Sequence, residues 1–170
     1  DGNFCMDGLV YPDRTVHTGL LEYKNVYRPV RVVSYDKESG ELVLHNYMDF
    51  DDLKDYVKIS YELTQDGLVI SKDILSEFSV VPHGEGKTNL KINVPENGKC
   101  YLKLIYHLKK ELPLLDEDHI LGFDEIEVSQ KDAKCQLAEK WVEKTVTDSE
   151  LQVSEDDTQI HIKGREFAYT

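Results

Sequence analysis

The chain has 170 residues, 40% of them hydrophobic, and 33 acidic against 20 basic side chains give it a formal net charge of −13. That length holds one domain with a core of its own and part of a second, and the apolar content is too high for wholesale disorder. The negative surface disfavours phosphate backbones and anionic headgroups, so neither nucleic acid nor membrane is expected as a partner.

Residues 1–17 are rich in Asp, Gly and Pro and alternate poorly, so they are expected to be the tail of something upstream. A short helix is predicted over residues 19–25. Period-two alternation, the mark of a half-buried strand, then recurs. It is strongest at 56–63, where Val57, Ile59, Tyr61 and Leu63 share a face, and at 99–109, where Cys100, Leu102, Leu104, Tyr106 and Leu108 do. Shorter versions at 30–35, 41–47, 68–71, 89–94 and 120–128 bring the total to about seven strands. Asp66-Gly67 supplies the positive backbone angles of a tight hairpin, and Ser39-Gly40 and Asn97-Gly98 punctuate the chain similarly. Seven strands with regular turn signals predict an all-β antiparallel sandwich. A polar stretch at 131–144 around Trp141 is a second helix candidate. Leu137, Trp141, Val142 and Val146 form either a helix face for a partner or a linker that packs back on the sandwich. Alternation resumes at Ile160 and Ile162, so a further, truncated β-domain is expected at the C-terminus.

No run approaches the roughly 20 apolar residues of a membrane-spanning helix, and residues 1–20 lack a basic start followed by an apolar run. Cys5, Cys100 and Cys135 are odd in number and widely spaced, which fits a reducing cytoplasm. The candidates for chemistry are weak. Residues 49–55 carry carboxylates at alternate positions, as an EF-hand loop does, but Leu53, Lys54 and Ser60 occupy the third-ligand, glycine and closing-glutamate positions. A turn with local Asx hydrogen bonds is expected instead. Asp116-Glu117-Asp118-His119 reads as a solvated loop, and His83 to Thr88, despite ending Gly-Lys-Thr, as a strand-to-strand loop. The six histidines never fall at zinc-site spacing, His45 and His107 being outward or half-buried in strands. Serine–histidine triads are left open, since such partners are distant in sequence.

The opening Phe4-Cys5-Met6-Asp7-Gly8-Leu9-Val10, followed by Asp13-Arg14 and Glu22-x-Lys24, resembles the segment by which family-two β-galactosidases leave their catalytic (β/α) barrel. Asn46 to Tyr56, continuing through Tyr61 to Gly67, is similar to the strand pair of that family's fourth domain. Val16 and Thr18 stand where the family has proline, and Asp7 where some members have asparagine.

The resemblance implies four segments: residues 1–17 as the tail of the barrel, 18–129 as an immunoglobulin-like sandwich, 130–149 as a linker, and 150–170 as the first strands of a C-terminal β-domain. It implies a longer protein that hydrolyses terminal β-D-galactosides such as lactose with retention, through two glutamates upstream of residue 1. No catalytic residue is expected here, and the 170 residues alone are expected to be inert and to need no cofactor. For the longer protein it implies sodium and magnesium, contact of this sandwich with the barrel and the C-terminal domain, and a homo-oligomer. The Phe4 carbonyl and Asp7 side chain are the implied sodium ligands, and the Phe4 ring the implied edge of the galactose pocket. Without the resemblance, Phe4 covers the edge of the barrel and Asp7 caps the turn at Gly8; both readings stand. The competing reading for the whole chain is a free-standing carbohydrate-binding or interaction sandwich.

Overall fold

The computed structural model describes residues 8–131, 151–156, 158–164 and 167–170. The chain divides into two compact units, Asp1–Ala133 and Lys134–Thr170.

The first unit opens with α1 (Thr18–Val26), then β1 (Val30–Tyr35), β2 (Glu41–Asn46), the single turn α2 (Leu53–Tyr56), β3 (Val57–Gln65), β4 (Leu68–Ile74), β5 (Glu85–Asn89), β6 (Gly98–Leu108) and β7 (Ile120–Lys131). These seven strands form two antiparallel sheets, ordered β1-β2-β5 and β4-β3-β6-β7. The connections from β2 to β3, β4 to β5 and β5 to β6 each cross between sheets. This is an immunoglobulin-like plan in which the fourth strand joins the third rather than the fifth. The expected all-β sandwich is therefore the observed fold.

The core lies where the two apolar faces meet. Leu42 and Leu44 of β2 and Val30 of β1 face Val57, Ile59 and Leu63 of β3 and Cys100, Leu102, Leu104 and Tyr106 of β6. In β6 every second residue from Gly98 to Leu108 is buried, because alternate side chains of a pleated strand point to opposite faces. Burial raises the Cys100 thiol pKa. Asp66 and Gly67, with φ of 49° and 85°, make a two-residue turn whose twist matches the β3–β4 hairpin.

The one buried polar residue described is Asn46, and it is satisfied. Its Nδ2 donates to the carbonyls of Asp51 and Val80 at 2.8 and 2.9 Å, and its Oδ1 accepts from the Met48 amide. The run at 49–55 is the expected Asx turn, extended into α2. Asp52 Oδ1 accepts from the Lys54 amide at 3.1 Å as an N-cap, and the carboxylate also holds the Ser79 hydroxyl and Val80 amide.

Two expectations are corrected. His83 to Thr88 is not simply a connecting loop, since Glu85 to Thr88 belong to β5 and pair with β2 from His45 to Leu42. Residues 90–94 carry no ladder, although Leu90 is buried and Ile92 and Val94 pack on the core. Their alternation is real burial without a strand partner.

Three sheet edges are covered. The β1 edge donates the Val32 amide to Asp124 Oδ2 at 2.9 Å, the β7 edge donates the Phe123 amide to Asn25 Oδ1 at 2.8 Å, and beside β5 the Thr88 hydroxyl reaches the Glu77 carbonyl. Among the described residues the outer edge of β4 has no such cover. It is blunted instead by an irregularity beside Val69 and by Lys72 and Asp73.

The second unit contains β8 (Gln152–Glu155), β9 (Ile160–Lys163) and β10 (Ala168–Tyr169), an antiparallel meander in that spatial order. Of the helix candidate at 131–144, Lys131 is the last residue of strand β7, and the rest, with Trp141, Leu137, Val142 and Val146, lies outside the described residues, as do Cys5 and Cys135.

Candidate functional site

Phe4 and Asp7 also lie outside the described residues, so the geometry begins immediately after them. Gly8 leads into a small loop closed by a bridge between Val10 and Val16. The Asp13 carboxylate accepts from both the amide and the hydroxyl of Thr15, which lowers its pKa. The His17 amide donates to the Leu9 carbonyl, and its ring packs at a tilt against Tyr11 with centroids 3.7 Å apart. This loop delivers the chain into α1.

No side chain of α1 is buried, yet the helix is fastened. Asn25 holds the Phe123 amide. Arg28, just past the helix, donates through Nη1 to the Asn25 carbonyl at 2.7 Å and through Nη2 to Asp124 Oδ1 at 2.5 Å. Asp124 Oδ2 accepts from the Val32 amide and, at 2.6 Å, from the Tyr106 hydroxyl. One carboxylate thus ties α1's end, β1, β6 and β7 together. The Tyr106 phenol pKa is pushed strongly upward, first by burial and then by the Asp124 charge. Gly122 lets the helix approach closely, because a Cβ there would lie 2.7 Å from Arg28 Cβ and 2.8 Å from Asn25 Oδ1.

The helix fixed in this way exposes Leu21, Val26 and Tyr27, the last at 70%, and the self-closed loop before it exposes Leu9, Val10 and Val16. Tyr23 and Tyr27 stack one turn apart, with centroids 4.5 Å apart. An exposed apolar surface beside a sandwich is suited to docking against another folded body. It offers no acid–base pair, and among the described residues no group of three His, Cys, Asp or Glu could hold a metal ion.

The other candidates resolve into structure. In the 49–55 run, Asp52 is a helix cap and Asp49 pairs with His83 at 2.8 Å. Asp118, in the acidic loop, pairs with Lys58, whose hydrogen bond lowers its pKa. Ser60 Oγ and His107 Nε2 are 2.8 Å apart, as in a nucleophile–base pair. Their residues, however, are near neighbours on adjacent strands, and His107 Nδ1 meets the Asp118 main-chain oxygen at 3.3 Å while the Asp118 carboxylate is turned to Lys58. Among the described residues no carboxylate orients this imidazole as in a catalytic triad. An open cleft of about 780 Å³ is lined by Lys54, Ser76, Phe78, Ser79, Thr88 and Lys109 among others, with Lys54 and Lys109 bonded to Ser79 Oγ and the Lys54 carbonyl. No helix in the described residues is long and apolar enough to cross a membrane.

Residues 42–129 match the family model described as β-galactosidase, domain 4, more than half of the chain. The β-galactosidase of Actinobacillus pleuropneumoniae is 42% identical over 99% of the chain, and that of Staphylococcus xylosus 31% over 99%. The chain spans only 16% and 17% of the lengths of these relatives. Among solved structures, an exo-β-D-glucosaminidase is matched over 92% of this chain and 16% of its own, with a TM-score of 0.43 and 10% identity. The chain belongs to the family of β-galactosidase domain 4.

Proposed function

We propose that this chain is a non-catalytic structural domain of a longer β-galactosidase, where it bridges the catalytic barrel and a C-terminal β-domain. The observation that carries this reading is the 42% identity over almost the whole chain to a β-galactosidase of which it spans 16%. The exposed, apolar N-terminal segment supports it, because residues 8–27 offer a docking face and not a pocket. The longer protein hydrolyses terminal β-D-galactosides with retention, through glutamates supplied by the barrel. Residues 1–17 close that barrel, with Phe4 at the edge of the sugar pocket and Phe4 and Asp7 as sodium ligands, 130–149 form a linker, and 150–170 begin the next domain. Magnesium at the barrel, a homo-oligomeric assembly and a cytoplasmic location complete the proposal.

The test is to read the open frame through this segment and assay two products, the 170-residue chain and the full frame, on a chromogenic β-galactoside. Activity confined to the full product, lost when its two barrel glutamates become glutamine, is expected. A frame confined to these residues, or activity in the short chain, overturns the proposal.

A further inference from the structure

Asn97-Gly98 is the only Asn-Gly pair in the sequence. It stands in the bend before β6, with Asn97 exposed and Gly98 at φ +92°. We propose that Asn97 is a site of spontaneous deamidation, converting to a mixture of aspartate and isoaspartate that marks the age of the folded protein.

The chemistry needs only water. The Gly98 backbone nitrogen attacks the Asn97 side-chain carbonyl carbon, a new N–C bond forms, and the bond to Nδ2 breaks, so that ammonia leaves with the amide proton. Water then opens the five-membered imide at either carbonyl, giving the ordinary or the isomerised acid. Attack requires an unhindered nitrogen and a carboxamide free to rotate. Glycine presents no side chain in the way, and although Gly98 is buried and faces Lys131 on β7, it is the terminal residue of β6, where the ladder has only to fray by one position. Among the described residues no hydrogen bond holds the Asn97 carboxamide, and Gln65 Nε2 reaches only its main-chain oxygen, at 2.8 Å.

The other described asparagines lack one or both conditions. Asn25 accepts from Phe123 and precedes valine, Asn46 is buried with three hydrogen bonds, Asn89 donates to the Ser39 carbonyl, and Asn93 precedes β-branched Val94. The neighbouring Asp66-Gly67 pair is restrained, since Asp66 Oδ1 accepts from the Lys99 amide at 2.9 Å.

The product would act where it matters to the sandwich. A carboxylate at 97 arrives beside Asp66, whose Oδ2 lies 2.8 Å from where a Cβ on Gly98 would sit. The isoaspartyl form adds a methylene to the main chain directly before β6, the strand that lines the core.

The experiment incubates the folded 170-residue chain in mildly alkaline buffer, follows each asparagine peptide by mass, and counts isoaspartate by labelled-methyl transfer from an isoaspartyl methyltransferase. Progressive loss of the amide at Asn97, ahead of every other asparagine, is expected, with methyl incorporation into the peptide that holds position 97 abolished in Asn97→Gln, while the Asp-Gly pairs at 1–2, 7–8 and 66–67 are followed in their own peptides. Circular dichroism checks that this exposed substitution leaves the fold intact. An Asn97 peptide that stays amidated in the folded chain while the urea-unfolded chain converts overturns the proposal, as does earlier conversion elsewhere.

Discussion

Arg28 and Asp124, 96 positions apart in sequence, meet at 2.5 Å with their side chains only 13% and 16% exposed. The acid also accepts from Val32 and Tyr106, so its loss leaves one cation and two polar hydrogens without their partner. Asp124→Ala is expected to destabilise the first unit by about 3–5 kcal/mol, the range for breaking a buried pair from one side. Replacing both partners together with leucine and methionine is expected to cost less than the sum of the single changes. Urea unfolding of the two single variants and the double variant measures this; additive losses would show that the pair is not coupled.

Tyr106 gives the alkaline limit of stability. Its phenol pKa is raised in the folded state, so above a pH of about 10, the ordinary tyrosine value, the unfolded chain loses a proton that the native chain keeps. Stability is therefore present below that pH and is lost as pH rises, with a slope approaching about 1.4 kcal/mol per pH unit for this one group. Tyr35 and Tyr61, also raised chiefly by burial, add to it. Tyr106→Phe is expected to lower stability at neutral pH by about 1.5–3 kcal/mol and to flatten the alkaline fall. Equilibrium unfolding of both proteins across the alkaline range is the check, and parallel curves would contradict it.

The acid limit involves Asp52. Burial pushes its pKa up, but hydrogen bonds from Ser79, the Lys54 amide and the Val80 amide, with the Lys54 charge, take it below the usual value. Its contribution is present above the ordinary aspartate range and is lost as pH falls through the lowered folded pKa. Asp52→Ala is expected to cost about 1–2 kcal/mol at neutral pH, as loss of an N-cap does, and less at strongly acidic pH. Thermal unfolding at neutral and acidic pH measures both.

Two glycines separate space from flexibility. Gly19 in α1 has open space where a Cβ would sit, with nothing within 4 Å, so Gly19→Ala is expected to stabilise by about 0.5–1 kcal/mol. Gly122→Ala would drive a methyl against Arg28 and Asn25 and is expected to destabilise by about 1–3 kcal/mol. Amide exchange in α1 is the sharper readout, since Gly122→Ala is expected to accelerate exchange at 20–27 and leave β3 and β6 unchanged.

What is legible in the sequence follows from periodicity. β3 and β6 announce themselves because each buries one apolar row, and Asp66-Gly67 marks the hairpin because few other residues accept two successive positive angles. β5 is hidden because Glu85 to Asn89 bury no apolar row; its glycine packs against Ser79 and Val80, and it is joined to β2 by the main-chain ladder and by exposed polar pairs such as Lys87 with Glu41. Leu90, Ile92 and Val94 supply the alternation instead, which reports faces and says nothing of hydrogen bonds. The Asp124 cluster has no signature, since Arg28, Val32, Tyr106 and Asp124 converge only through topology. The family resemblance is legible in short motifs, whereas Phe4 and Asp7 fall outside the described geometry.

The joint between Arg28 and Asp124 links the entry of the first strand to the last strand of the same unit. Tension applied between the ends of the unit is expected to load this contact first, since it joins Arg28 directly to the final strand. A carboxylate shared by the helix end, β1, β6 and β7 resists their separation, so the first unit is expected to behave as one stiff body.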